Sequence, residues 1–352
     1  SYNPNIRNDA GRFPHVIKTY LDSLIPSNII EAPLMMVDGK MSKDLLISNN
    51  LDFLKTLSPI EKNQMINELK SLLSKNDQSL HPKFKHKNTT YLNHSLYDIS
   101  IANHGKLFHQ KFIEPYCKKI LNISSKKVIA LYHRVCWIPL FYPETLLAYL
   151  NDSLSKMLKT NFHYPKNSNS TQITKILLKK IQNTENIKLI EKAKIKKISI
   201  KENLSEAEFS VLSKNTKRSM VVNKIDKLVW GSNLNEFNNM FIKENLEEYK
   251  FKRTSVGMLF LSIEHSSLKN FFSVLNIIDN KFSIYRITNQ SFCANENSNY
   301  FRLTVEFNIN FYEDLYTKDM TDYEIAKNLF IELENIGVLD NSANFNEYKL
   351  LK

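Results

Sequence analysis

The sequence predicts a mixed α/β (α+β) protein in which a mostly antiparallel sheet is covered by helices. Segments between residues 254 and 309 alternate apolar and polar residues, the pattern of strands with one buried face. Apolar residues three and four apart instead dominate much of residues 1–125 and return at 322–337, which indicates amphipathic helices. We therefore expect a mainly helical region at 1–125 and a mixed sheet-and-helix region at 126–352.

The composition is that of a folded protein with a basic surface. Of 352 residues, 42% are hydrophobic and 11% aromatic, enough for two domains and a sizeable core. The 48 Lys and Arg against 36 Asp and Glu give a formal charge of +12, which favours anionic partners such as nucleotide-sugars, nucleic acid or a membrane surface. A solvated lysine coat is the simpler interpretation, and it predicts only weak, non-specific nucleic-acid binding.

Cysteine usage and hydropathy predict a cytoplasmic protein. Cys117, Cys136 and Cys293 form no Cys-x-x-Cys motif and no paired framework, which is typical of a reducing compartment. No stretch approaches the roughly 20 apolar residues of a transmembrane helix, and no signal-peptide core is visible near residue 1.

Residues 76–94 carry three histidines, His81, His86 and His94, at spacings that match no established zinc signature. We interpret this polar segment as a basic surface loop and expect no metal site.

The order of elements follows from apolar periodicity and from turn residues. Ala32–Val37 reads as a strand that enters a hairpin at Asp38-Gly39. A Ser58-x-x-Glu61 pattern predicts a capping box that opens a helix to about Ser74. Further helices are expected at 15–25, 50–56, 171–181, 237–248 and 322–337, with Gly337 as the last C-cap, and further strands at 187–190, 194–200, 209–212, 220–222, 226–230, 254–263, 270–278, 282–288 and 300–309.

Residues 131–145 combine two prolines, several aromatic residues and the single basic residue Arg134. The prolines exclude a central strand or a helix interior here. One interpretation is a core segment that passes between domains, and the other is the wall of a ligand pocket. In the second, Arg134 binds an anion and Tyr142 stacks on a ring. We then expect Arg134 to line a cleft, with Tyr142 or Tyr164 within reach.

The stretch 161–234 carries a specific resemblance. A Tyr164-Pro165-Lys166 turn, an amphipathic helix, a strand rich in Lys and Ile, and a run that ends in Val229-Trp230-Gly231 follow one another. This order resembles the middle of the FAD-dependent amine oxidases and their UDP-galactopyranose-mutase-like relatives. Upstream and downstream residues match the same superfamily in order, over residues 100–339: Gly105, Phe112, Pro115, Tyr116, Lys119 and the strand residue Glu306.

The resemblance implies the substrate-binding portion of a flavin-dependent oxidoreductase or mutase-like protein that acts on a nucleotide-sugar or other anionic metabolite. Tyr164 and Lys166 would join Arg134 and Tyr142 in binding the substrate. Ile195, Trp230 and Gly231 would lie toward the FAD. No nucleophile and base pattern competes with this view, so the chemistry would belong to the flavin.

The superfamily's Gly-x-Gly-x-x-Gly segment and its C-terminal flavin segment do not occur in these 352 residues, which contain six glycines. Asn167 and Ser168 also replace two glycines of the usual turn. We therefore expect this chain alone not to retain FAD. It is then either the central part of a flavoprotein, a flavin-free ligand-binding or scaffold protein of the same descent, or, if the resemblance is coincidental, a nucleic-acid-binding module.

Overall fold

The structure is a computed structural model, and it describes most of the chain. The described residues are 27–29, 32–46, 50–75, 79–84, 90–134, 138–154, 163–166, 171–191, 193–199, 206–212, 217–223, 226–231, 254–340, 343 and 347–352. The helices predicted at 15–25 and 237–248 lie outside them. Two compact units are present: a large unit of residues 1–173 with 254–352, and a small unit of residues 174–253. The boundary predicted near residue 125 stays a prediction.

A mostly antiparallel sheet of seven strands organises the large unit, as the sequence predicts. The strands of this unit are β1 Ser27–Ile29, β2 Leu34–Val37, β3 Lys40–Lys43, β4 His163–Pro165, β8 Val256–Glu264, β9 Val274–Ile277, β10 Ile284–Asn289, β11 Tyr300–Asn308 and β12 Tyr348–Leu351. The strand order of the sheet is β12-β8-β11-β10-β9-β2-β3, and among its described pairs only β2–β9 is parallel. A separate antiparallel pair joins β1 to β4.

Helices flank this sheet, and one helix leads into the small unit. They are α1 Pro59–Ser74, α2 Thr90–Asn93, α3 Leu96–Phe108, α4 Glu114–Leu121, α5 Pro143–Leu150, α6 Thr171–Gln182, α7 Gln290–Ala294, α8 Ile309–Leu315 and α9 Asp322–Ile336. The predicted capping box at Ser58 and Glu61 is confirmed, and so is Gly337 as the left-handed C-cap of α9.

The small unit contains a three-stranded antiparallel sheet, β5 Ala193–Ser199, β6 Glu206–Leu212 and β7 Lys217–Asn223. The strands predicted at 187–190 and 226–230 are wrong, because both runs are irregular. The Ile187 N–H donates to the Thr184 carbonyl at 3.1 Å in a turn that follows α6. This amide is therefore not available for a hydrogen bond to a neighbouring strand. Val229 is 92% exposed, and its run pairs with no described strand.

Strand alternation gives the main sheet two apolar cores. On β2, Met35 and Val37 join a core shared with α1, α3, α4 and α5, whereas Met36 joins the core beneath α9. The second core takes Leu329 and Leu333 from α9. Each face of the sheet is therefore covered by helices at its buried positions, which is the arrangement expected of an α+β domain.

Helix α3 bends at Gly105, which has φ of +80° and ψ of 172°. The Glu68 carboxylate of α1 occupies this bend and accepts the Leu107 N–H at 3.0 Å. A Cβ at position 105 would lie 2.7 Å from the Glu68 Oε2 atom. The positive φ favours glycine, and a Cβ would also displace the Glu68 carboxylate that accepts the Leu107 N–H, which gives the Gly105 match of the resemblance a local physical reason.

Lys119 of α4 is fully buried, and its ammonium binds the turn between β9 and β10. Its Nζ atom donates to the carbonyls of Ile277 and Ile284, both at 3.1 Å, and to the carbonyl of Asp279. Three acceptors match the three donors of an ammonium group. Burial lowers the pKa of Lys119 to about 7, against the opposing charges of Glu332 and Asp279.

Glu332 of α9 binds the same turn from the other face of the sheet. Its carboxylate accepts the Ser283 N–H at 2.8 Å, the Ile284 N–H at 3.0 Å and the Tyr316 hydroxyl at 2.6 Å. Two buried charges of opposite sign thus satisfy the carbonyls and amides of one turn, which would otherwise be buried without partners.

Replacing Lys119 with Met should lower the free energy of unfolding by about 3–5 kcal/mol, because three buried carbonyls lose their donor while the Glu332 charge stays. Urea unfolding followed by circular dichroism measures this. The neighbouring Lys118, whose side chain is 53% exposed, provides the control, since Lys118→Met should change stability by about 0.5 kcal/mol or less. Similar losses in both variants would contradict the role given to Lys119.

His104 lies fully buried beside the Gly105 bend. Its Nε2 atom accepts the Phe141 N–H at 2.8 Å, so the neutral ring carries its proton on Nδ1, 3.3 Å from the Ser100 hydroxyl. Burial lowers the pKa of His104 to about 3, and His109 and His133 reinforce the shift. Burial likewise lowers the pKa of His109, although Glu114 opposes this.

Acid should therefore destabilise the fold before most carboxylates titrate. A histidine whose folded pKa lies below its unfolded value of about 6.5 stabilises the fold fully above that pH and loses the contribution as pH falls toward the folded pKa. We expect stability to fall between pH 6.5 and pH 5 by up to about 1.4 kcal/mol per pH unit for each such histidine. His104→Gln should make this pH dependence shallower in urea titrations, and a flat profile in the native protein would contradict the assignment.

Candidate functional site

One face of the main sheet carries polar side chains, and we take it as the candidate functional site. Along β11, Leu303 and Val305 point into the α9 core, so Arg302, Thr304 and Glu306 share the opposite face. On the neighbouring strand β8 their direct partners are Ser262, Phe260 and Met258, all partly exposed. On the other neighbour, β10, Arg286 and Thr288 pair with Glu306 and Thr304. We call this surface the polar sheet face.

Glu306 is the centre of a closed network on this face. Its carboxylate accepts Arg286 Nε at 2.8 Å, Arg286 Nη2 at 2.5 Å and the Tyr285 hydroxyl at 3.0 Å. Consecutive residues of β10 reach one carboxylate because the strand register shifts between Ile284 and Arg286, as in a β-bulge. Burial alone would lower the pKa of Arg286, but its bonds to Glu306 outweigh that effect and raise it. The network is suited to holding the strands together.

Arg302 lies further along β11 and is more accessible. Its guanidinium Nη2 pairs with Glu296, and its side chain is 40% exposed, against 8% for Glu306. Within the described residues, Glu296 takes a single one of the five guanidinium donors. Arg302 is therefore the cation of the polar sheet face that is best placed to accept an anionic ligand.

Tyr164 reaches the surroundings of Arg302 from strand β4, which pairs with β1. It is half-buried, and burial raises the pKa of its hydroxyl, with the Cys293 thiol and Glu296 adding to the shift and Arg302 opposing it. Lys166 is the first residue after strand β4 and lies in an exposed turn. Burial also raises the pKa of Cys293 to about 12, so this thiol is unreactive at neutral pH.

Tyr142 lies elsewhere, and it does not line a cleft itself, although its neighbours His81 and Pro143 line one of about 350 Å³ beside α1 and α3. Its ring centroid is 4.7 Å from that of His81. His81 is only 5% exposed, with Nε2 at 3.1 Å from Glu144 and Nδ1 accepting the Lys83 N–H. The interpretation of His81 as part of a surface loop is therefore wrong. Its partner Glu144 comes from a helix 63 residues later, which sequence spacing does not reveal.

The other predicted site residues stay predictions. Arg134 ends a 3₁₀ turn that begins at Ala130, but its side chain lies outside the described residues. Ile195 lies in β5 opposite Phe209. Trp230 is partly buried, and Gly231 is exposed with open space where a Cβ would be. The last three belong to the small unit.

Neither Arg302 nor Glu296 is among the site residues predicted from the sequence. Two charged residues, Arg302 and Glu306, on the same side of an otherwise apolar strand could have indicated a polar face. The Arg302–Glu296 pair depends on how α7 returns the chain to β11, which periodicity does not predict.

The described residues do not fit the pyrophosphate of a flavin dinucleotide, which needs a glycine turn between a strand and a helix N-terminus. Gly39 lies in a hairpin turn, Gly105 in the bend of α3, Gly257 within β8 and Gly337 at the end of α9. Gly231 lies in an irregular exposed segment.

Two further features are absent from the described residues. They contain no group of three or more His, Cys, Asp and Glu side chains that could hold a metal ion. None of their helices combines the length and the apolar character needed to cross a bilayer.

The likeness to known proteins is structural. No protein-family model matches the chain, and no curated protein matches its sequence. A crystal structure of reduced UDP-galactopyranose mutase matches 96% of this chain and 69% of its own, with a TM-score of 0.68 and 12% identity. Putrescine oxidase bound to putrescine matches 96% and 71%, with a TM-score of 0.53 and 10% identity. An oxidoreductase from Methanosarcina mazei matches 96% and 72%, with a TM-score of 0.51 and 12% identity.

Each match spans nearly the whole chain, and the mutase is one of the proteins that the ordered motifs from Gly105 to Glu306 resemble. At these identities the likeness establishes the fold. The chain therefore has the fold shared by UDP-galactopyranose mutase and putrescine oxidase.

Proposed function

We propose that this chain forms the substrate-binding portion of a flavin-dependent oxidoreductase or mutase-like protein, and that the polar sheet face binds an anionic metabolite. The observation that carries the proposal is the structural match to UDP-galactopyranose mutase over 96% of the chain. Arg302, with a side chain that is 40% exposed, supplies an accessible cation for such a ligand.

A nucleotide-sugar is the substrate class we propose, since the name of the mutase indicates UDP-galactopyranose for that protein. Arg302 would bind the anionic group, with Tyr164 and Lys166 beside it. Arg134 and Tyr142 remain proposed substrate contacts from the sequence. Ile195, Trp230 and Gly231 remain proposed contacts on the side of the FAD.

A flavin-free ligand-binding protein of the same descent is the second candidate. The placement of the described glycines favours it, because none of them provides a pyrophosphate turn. For both candidates we propose a cytoplasmic protein, and the buried thiol of Cys293 is compatible with a reducing compartment.

Titration calorimetry with UDP-galactose tests the anion site. Arg302→Ala should weaken binding by about ten- to a hundredfold, because a charged hydrogen-bond donor is lost. Glu296→Gln should strengthen binding by about threefold or more, because the guanidinium no longer shares its charge with a carboxylate.

Opposite effects of these two changes distinguish an anion site from a structural ion pair, in which both substitutions would lower the melting temperature and neither would change binding selectively. Lys269→Ala, an exposed lysine of the large unit, should leave UDP-galactose binding unchanged. If Arg302→Ala binds UDP-galactose as tightly as the native protein, the polar sheet face is not the anion site.

Absorption spectroscopy tests whether this chain alone retains FAD. We expect the purified 352-residue chain to be colourless and to lose added FAD on desalting, because the sequence lacks a phosphate-binding glycine turn. Flavin fluorescence in the supernatant after denaturation measures any retained cofactor. One equivalent of released flavin would contradict this expectation and would favour the flavoprotein over the flavin-free protein.

A further inference from the structure

The small unit holds most of the protein's excess positive charge. Residues 174–253 contain 18 Lys and Arg and 10 Asp and Glu, a formal net charge of +8 out of +12 for the whole chain. The remaining 272 residues therefore carry only +4. A lysine coat spread evenly over the surface does not explain this concentration, which indicates an anionic partner for the small unit.

Helix α6 combines this charge with apolar residues that are not buried. The helix has no buried residue, although the sequence gives it an apolar face. Ile173, Ile176, Leu177 and Ile181 are only half-buried, and Leu178 is 37% exposed. Isolated helices of this length are marginal in water, because most helical stability comes from covering an apolar face. The exposed part of this face is therefore available to a further apolar environment.

Lysines stand beside the exposed apolar side chains. Lys175 and Lys179 are exposed one turn apart on α6 and flank Leu178 in sequence. Just after the helix, Ile187 is 49% exposed and Leu189 is 41% exposed, and the exposed Lys188 lies between them in sequence.

Hydrogen bonds fix the first of these residues against the end of the helix. The Thr184 hydroxyl donates to the Lys180 carbonyl at 2.8 Å, and the Ile187 N–H donates to the Thr184 carbonyl at 3.1 Å. A further exposed apolar residue of the same unit, Val229, follows Lys227 by two positions. Apolar and basic side chains thus lie close together in sequence at residues 175–181, at 187–189 and again at 227–229.

We propose that the small unit docks on the surface of an anionic phospholipid membrane through α6 and the residues that follow it to Leu189. Lysines beside exposed Leu, Ile and Val side chains match an interface in which phosphate groups lie next to acyl chains. Nucleic acid would neutralise the lysines but would leave the aliphatic side chains in water, and its usual aromatic stacking partners do not occur in residues 171–191. The docking is peripheral and needs no spanning helix.

Co-sedimentation of the full chain with vesicles tests the proposal. We expect binding to vesicles of phosphatidylcholine with phosphatidylserine, little binding to phosphatidylcholine alone, and release when salt rises from about 0.1 M to about 0.5 M. Lys175→Glu with Lys179→Glu should weaken binding at least tenfold, since each lysine near an anionic surface contributes about fivefold. Leu178→Ser with Ile187→Ser should weaken it by a similar factor, including at higher salt.

Helix α9 and the residues just before it in the large unit supply matched controls. Ile331 is 43% exposed, close to the exposure of Leu178, and Lys318 and Lys327 are exposed lysines of the same unit. Ile331→Ser and Lys318→Glu with Lys327→Glu should bind vesicles within about twofold of the native protein, which follows if the docking surface is local. Melting curves establish that each variant is folded, and the lysine variants test the proposal even if Leu178→Ser unfolds the helix.

Three results would overturn the proposal. The first is the absence of binding to phosphatidylserine vesicles. The second is equal loss of binding in the α6 and control variants, which would indicate a general effect of net charge. The third is tight binding to an RNA oligonucleotide that Lys175→Glu with Lys179→Glu abolishes, while anionic vesicles are not bound, which would assign the basic surface to nucleic acid.

Discussion

The ammonium group of Lys119 fixes the geometry on which the large unit depends. It donates to three carbonyls around the β9–β10 turn, and Glu332 accepts two amides of the same turn from the opposite face. The turn is extended by Asp279, whose carboxylate accepts the Gly39 N–H at 2.7 Å in the β2–β3 hairpin. One buried pair of charged groups therefore connects α4, α9 and two hairpins. Because unpaired buried charges are costly, this arrangement allows little variation in how the helices pack on the sheet.

This packing also divides the polar sheet face into a closed part and an accessible part. Helix α4 covers the closed part, where Asn308 donates to the Ile120 carbonyl at 2.7 Å and Tyr116 lies close to Arg286. Glu306 is sealed there by Arg286 and Tyr285. Arg302, two strand positions of the same face away, keeps a side chain that is 40% exposed. The accessible part is thus where a ligand can reach a cation, while the closed part holds the strands in register.

The candidate site could be predicted only in part. The sequence resemblance selected Tyr164 and Glu306, and the structure places both beside or within the polar sheet face. Arg302 escaped notice because a single arginine in a strand has no local signature. The pairing of His81 with Glu144 escaped notice because 63 residues separate them. Contacts of this kind depend on where helices return to the sheet, and that information is spread over the whole chain.

The sequence by itself determined most of the local structure of this protein. Apolar alternation located β10 and β11, the Asp38-Gly39 dipeptide located a hairpin, and Ser58 with Glu61 located the start of α1, because strand faces, turns and caps are decided by residues close in sequence. Only the tertiary structure decided that the apolar runs at 187–190 and 226–230 are not strands. It also decided that Lys119 is buried and donates to three carbonyls around one turn. Those outcomes depend on which partners the fold supplies, since a strand needs a neighbour to accept its hydrogen bonds and a buried ammonium needs acceptors around it.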